Sequence, residues 1–230
     1  MNKQNGNMYA FVTHTSNPIK GLCPHKCDYC YMLAIFRHYH HDETLRLDEY
    51  ELKVNYGKNK FIFLGTSTDM FANAVPTEWI LQVYDKCLQH PDNKYLFQSK
   101  NPGRYLETQL INHPLMQLKD RICFATTIES NRDYPISKAQ SMTERADAMA
   151  QLQAMGFSVM VTIEPIMDFD HDELVEMLKK IKPFQVNIGC NTSKEIKLPE
   201  PTRDQIYALV QELSTFTNVE LKSNSKRILG

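Results

Sequence analysis

The sequence predicts an α/β fold built on a parallel sheet. Three observations carry this. Short runs rich in aromatic, Val and Ile residues alternate with amphipathic stretches along the chain. Most of these runs are apolar on both faces, as strands buried inside a parallel sheet must be. The 230 residues are 42% hydrophobic, enough for one sizeable core. Residues 1–230 are therefore read as a single domain, with no internal repeat or low-complexity linker.

The elements follow in order. Residues 8–13 read as a strand, then a cysteine-rich loop, then a helix over about 31–38. Residues 60–65 form a strand, and a helix runs from about Pro76 to Gln89, where Pro suits the first turn. Residues 94–99 form a strand, followed by a helix near 102–111. Residues 121–128 form the next strand. The helix after it starts at Ser141 with Glu144 three positions on, the capping-box pattern, and stops at Gly156. Residues 157–163 form a strand. Asp170 to Glu173 open a helix whose C-terminal end carries Lys179, Lys180 and Lys182, complementing the helix dipole. Residues 184–189 form a strand, Pro201 and Thr202 precede a helix to about Phe216, and 219–222 add a short last strand. Helices between strands imply parallel pairing through right-handed crossovers. About six such units are too few for a closed eight-stranded barrel. An open doubly wound sheet and a partial barrel both remain.

Composition excludes several classes. Lys plus Arg total 26 and Asp plus Glu 27, so no global positive field marks a nucleic-acid binder. The basic cluster Lys222, Lys226 and Arg227 reads as a solvated end. The N-terminus has no apolar signal region and no run is long enough to span a bilayer, so the expectation is a cytoplasmic protein without a membrane partner. Six cysteines in a reducing compartment are not a disulfide framework.

Three of those cysteines fall within eight residues, in Gly21-Leu-Cys23-Pro-His-Lys-Cys27-Asp-Tyr-Cys30-Tyr31. Thiolates at this spacing can converge on one soft metal centre. A cubane cluster has four irons, so three cysteines would leave one iron open to a small molecule. Two other readings compete. Positions 23, 27 and 30 share one face of a helix and could be a buried stripe. Alternatively, the three cysteines with His25, His38, His40 or His41 could close a structural zinc site, making a non-enzymatic zinc-binding interaction module. Gly21 and Pro24 favour a loop over the stripe, and no second cysteine pair exists to complete the usual zinc pattern.

The C-x3-C-x2-C spacing, with aromatic Tyr29 just before the last cysteine, resembles the signature of the radical S-adenosylmethionine (SAM) superfamily. The segment from Ser16-Asn17-Pro18 through Tyr31 also resembles a phage-type group of that superfamily with unassigned function. So do residues 65–71, 99–102, 126–131 and 162–170. More distantly, the chain is similar to spore photoproduct lyase-like enzymes. The resemblance implies a partial (β/α)6 TIM-like barrel, with a [4Fe-4S] cluster on Cys23, Cys27 and Cys30 and SAM as second cofactor. Reductive cleavage of SAM would give a 5′-deoxyadenosyl radical that abstracts a substrate hydrogen.

The implied SAM contacts are Tyr29 in the motif, Ser67 and Asp69 after the second strand, Thr127 and Glu129 after the fourth, Glu164 after the fifth, and Ile188 and Gly189 at the sixth. Cap formation is the competing role for Asp69, and a surface carboxylate is the competing role for Glu129. Cys190, just past the sixth strand, would be a hydrogen donor to a substrate radical, against the plainer reading of an inert thiol. The expected partners are a macromolecular substrate, nucleic acid before protein, and an electron donor such as flavodoxin or ferredoxin. Activation of a glycyl-radical protein is the enzymatic alternative.

Overall fold

A computed structural model describes residues 1–4, 9–193 and 195–230. Its main sheet has eight strands: β1 (Asn2–Lys3), β2 (His14–Ser16), β5 (Phe61–Leu64), β6 (Lys94–Gln98), β7 (Ile122–Thr127), β8 (Ser158–Ile163), β9 (Gln185–Ile188) and β10 (Asn218–Leu221). They lie in that order across the sheet. β1 pairs antiparallel with β2, and every later pairing is parallel. The parallel strands sit in chain order with no reversal. That separates a singly wound partial barrel from the doubly wound alternative, whose strand order turns back on itself. A two-stranded ribbon of β3 (Ile19–Lys20) and β4 (Arg46–Leu47) stands apart. It brackets the cysteine loop and helix α1 (Tyr31–Tyr39), and α2 (Glu49–Lys53) follows it.

The remaining helices are α3 (Thr77–Leu88), α4 (Thr108–Ile111), α5 (Met142–Ala154), α6 (His171–Ile181), α7 (Arg203–Leu213) and α8 (Lys226–Leu229). Alternation along each strand sorts the side chains into two sets. Ile62, Leu64, Tyr95, Phe97, Phe124, Val159, Val161 and Val186 join the large core beneath the helices. Phe63, Leu96, Cys123, Ala125 and Met160 form a smaller cluster with Tyr9 and Val12. That smaller set fills the concave side of the sheet. Above it, the concave face becomes polar: Thr127, Thr162 and Asn187 are register partners across β7, β8 and β9.

The expected capping box at Ser141 forms, and a second one forms at Thr202. Ser141 pairs with Glu144 ahead of α5, and Thr202 pairs with Gln205 ahead of α7. Three expectations need correction. The first strand of the parallel set is His14–Ser16, not 8–13; Met8 lies outside the described residues. The Val12 amide donates to the Tyr9 carbonyl in a turn, and Tyr9 and Val12 plug the concave side instead of extending the sheet. The helix near 102–111 is broken into a 3-10 turn over Pro102–Leu106 and the short α4. The helix after Thr202 ends at Leu213, short of Phe216.

Candidate active site at the C-terminal mouth of the strands

The loops after the parallel strands enclose one cavity of about 400 Å³. Cys23, Cys27 and Cys30 line one side, with Ser67 and Asp69 after β5 and Gln98 to Lys100 at the end of β6. Thr127 at the end of β7 also lines it. Glu164 after β8, Cys190 after β9 and Lys222 after β10 line the facing side. This is the end of a parallel sheet at which ligands are generally bound.

The cysteine segment is a loop, which removes the buried-stripe reading. Its chain makes two tight turns: the Lys26 amide donates to the Cys23 carbonyl and the Cys30 amide to the Cys27 carbonyl. Cys30 then caps α1 in extended conformation. Gly21 enters the loop at φ +109°, and a Cβ there would lie 2.4 Å from the Thr44 carbonyl oxygen. Glycine is required at this close approach. The loop is fastened from outside, because the Asp28 amide donates to the Ile136 carbonyl and the Lys138 amide to the His25 carbonyl.

Two buried polar groups lock its underside. Asp69 Oδ2 lies 2.9 Å from His25 Nε2, accepts from Ser99 Oγ at 2.9 Å and from the Lys100 amide at 2.8 Å, while Oδ1 accepts from the Phe71 amide. Burial pushes the Asp69 carboxyl up, but the His25 bond and charge and the two amides outweigh it and hold it below its ordinary value. The carboxylate is thus engaged with His25 and the turn it caps. Glu129 is fully buried. Its Oε2 accepts from Arg145 at 2.8 Å and its Oε1 from Lys100 at 2.7 Å and from the Tyr29 hydroxyl. Burial raises its carboxyl, and the charges of Lys100 and Arg145 more than reverse that.

Of the sequence-derived SAM contacts, the structure brings Tyr29, Ser67, Asp69, Thr127 and Glu164 to the cavity wall. Glu129, Ile188 and Gly189 lie behind it. Gly189 leaves space for a carboxylate: a Cβ would stand 2.7 Å from Glu164 Oε1. Glu164 in turn accepts from Lys222 Nζ at 2.7 Å and Asn224 Nδ2 at 2.7 Å. Lys222 therefore turns inward, over the Tyr9 ring, and is not part of a solvated tail. Tyr9 donates to Gln98 at 2.6 Å; burial, and then the Glu164 charge, push its phenol up. Cys190 is 1% exposed and burial raises its thiol. Lys100, Arg145, Lys222 and Asn224 had not been assigned from the sequence.

The residues present fit a cluster. All six cysteines are free thiols; Cys87 and Cys123 lie in the core, and Cys190 is buried just past β9 with its thiol towards the Ser225 carbonyl. That leaves three thiols on one loop at one cavity wall. Burial pushes the Cys23 thiol up to about 12, with the Asp69 charge adding to it, and raises Cys30 as well. Among the described residues, no three His, Cys, Asp or Glu side chains already close on a single ion. A multi-iron cluster instead spreads its thiolates over separate irons.

The fold is the partial barrel of the radical SAM type, open between β1 and β10. Residues 7–176 match the family of proteins of unknown function designated DUF5131, and the chain belongs to that family. No curated protein matches it. Among solved structures, a spore photoproduct lyase variant with bound AdoMet and dinucleoside spore photoproduct superposes with a TM-score of 0.60. Identity is 12%, over 93% of this chain and 64% of that one. Another variant of that lyase gives 0.63 at 9% identity, over 95% and 78%. SuiB of Streptococcus suis bound to S-adenosylmethionine gives 0.55 at 8%, over 91% and 47%. The chain thus spans just under two thirds of the first lyase chain, and the likeness is one of fold.

Proposed function

We propose that this chain is a radical SAM enzyme, with a [4Fe-4S] cluster on Cys23, Cys27 and Cys30 and SAM beside it in the cavity. The observation that carries the reading is the placement of three free thiols of one fastened loop on the wall of a cavity at the strand mouth. When bound, the cluster and SAM would supply a 5′-deoxyadenosyl radical for hydrogen abstraction.

The protein's own residues then have distinct tasks. Asp69 holds His25, and with it the loop, in place. Ser67 and Thr127 offer hydroxyls to the polar parts of SAM. Glu164 and Lys222 form a charged pair on the facing wall, where the substrate would enter. Cys190 also lines the cavity and in this reading would donate hydrogen to a substrate radical, its S–H bond breaking as a C–H bond forms. The substrate class in this reading is nucleic acid. The lyase structure with a dinucleoside spore photoproduct supports it.

The test is anaerobic reconstitution. About four irons and four sulfides per chain are expected, falling sharply in Cys30→Ala and unchanged in Cys87→Ala. Dithionite and SAM should then yield 5′-deoxyadenosine, and a photodamaged oligonucleotide should increase its release. Stoichiometric zinc in place of iron, or no 5′-deoxyadenosine under several reductants, overturns the proposal.

A further inference from the structure

The chain places a fixed positive charge against one thiol of the cysteine loop. Lys100 Nζ lies 3.5 Å from Cys27 Sγ and 4.4 Å from the centre of the Tyr29 ring. Cys27 is buried, and the Lys100 side chain is 15% exposed. Its ammonium does not hang free: Glu129 holds it at 2.7 Å, and Arg145 anchors the other oxygen of Glu129 at 2.8 Å while donating to the Thr127 carbonyl at 2.9 Å. The row Arg145–Glu129–Lys100 carries two positive charges and one negative, and its cationic end points at sulfur.

Such a row is costly to build. Removing ions from water is repaid only where geometry and further hydrogen bonds are good. A simple loop anchor could be made from neutral groups, as Asp28 and His25 already show through backbone bonds. A buried cation at a thiolate does something a neutral anchor does not. Donors and positive charge at the sulfurs of an iron–sulfur cluster favour its reduced, more negative state and so raise its reduction potential.

We infer that Lys100 is the electrostatic tuning residue of the Cys27 corner of the cluster, with Glu129 and Arg145 as the positioning residues that aim it. This rests on the cluster assignment proposed above. The charge eases one-electron reduction of the cluster, and it acts without being consumed.

The experiment is a redox titration of the anaerobically reconstituted protein, followed by electron paramagnetic resonance, on wild type, Lys100→Met, Lys100→Gln and Lys100→Arg. At a fixed potential near the wild-type midpoint, the reduced-to-oxidised ratio should fall about tenfold in Lys100→Met, which is 59 mV for a one-electron couple. Lys100→Gln should fall similarly, because a donor without charge is not enough, and Lys100→Arg should stay closest to wild type. Iron and sulfide content and the circular dichroism spectrum are measured alongside, so Lys100→Gln and Lys100→Arg decide the matter where Lys100→Met does not fold. Equal midpoints in all four loaded proteins would overturn the role of Lys100 and leave the cluster assignment standing. A wild type that takes up no iron would overturn both.

Discussion

Behind the cysteine loop, Glu129 and Arg145 are 0% and 1% exposed and each charge meets an opposite one, whereas across the cavity Glu164 keeps 26% of its side-chain surface and faces Lys222. The near wall draws its partners from several elements: Arg145 from α5, Lys100 from the end of β6, Glu129 from beyond β7, Tyr29 from the loop itself. The far wall is built from the turns after β8, β9 and β10, and polar atoms in the strands and turn behind it are left unpaired. Asn224 Oδ1, Thr162 Oγ1 and Asn187 Nδ2 are buried without a hydrogen-bond partner among the described residues. A saturated ion row holds one geometry. A partly solvated ion pair is held less firmly than a buried row. The contrast is between a closed ion row behind the loop and a partly solvated pair across from it.

The largest expected effect is on the near wall. Arg145→Met leaves Glu129 buried with Lys100 and Tyr29 but without its second counter-charge. Breaking one side of a buried pair costs about 3–5 kcal/mol. For a chain of this size that is a fall in Tm of roughly 6–20 °C, measured by thermal and urea unfolding. A loss below about 1 kcal/mol would erase the difference between the walls.

Next in size is the response to acid. The Glu129 carboxyl is lower in the folded protein than its unfolded value of about 4.3. A depressed carboxyl contributes its stability in full above the unfolded value and loses it as pH falls through the folded one. Asp69 acts with the same sign. Tm should therefore drop steeply as pH falls below about 4, and Glu129→Gln, less stable at neutral pH, should show a shallower drop. Equal slopes in the two proteins would mean the near wall is not held by this carboxylate.

The near wall was also the more legible in sequence, because its first layer is local. The cysteine spacing, Gly21, Pro24 and Tyr29 all lie within one short segment, and their loop follows from them. Tyr9 misled for the opposite reason: its alternation with Phe11 looks like a strand, and only tertiary packing turns that segment into a plug. Arg145 carried a signal that went unused. Met142, Arg145, Met149 and Leu152 share one face of α5, and all are buried. A charge on an apolar stripe demands a buried partner, and Glu129 at a strand end was the candidate. Lys222 offered no such signal. It lies 58 residues from Glu164 in sequence, among other basic residues, and only the parallel pairing of β10 with β9 brings it in.

The smallest expected effect tests the far wall directly. Lys222→Met removes an ion pair at 2.7 Å and a cation over the Tyr9 ring at 5.0 Å. Glu164 is partly solvated and still accepts from Asn224, so it is not stranded as Glu129 would be. Water in the cavity screens the lost pair, which limits its worth to about 1 kcal/mol or less, and the methionine keeps most of the apolar stem over Tyr9. The same unfolding measurement applied to Lys222→Met and Arg145→Met gives the ratio between the walls. A loss in Lys222→Met as large as that in Arg145→Met would mean that the Glu164–Lys222 pair is a structural clamp, held as firmly as the row behind the cysteine loop.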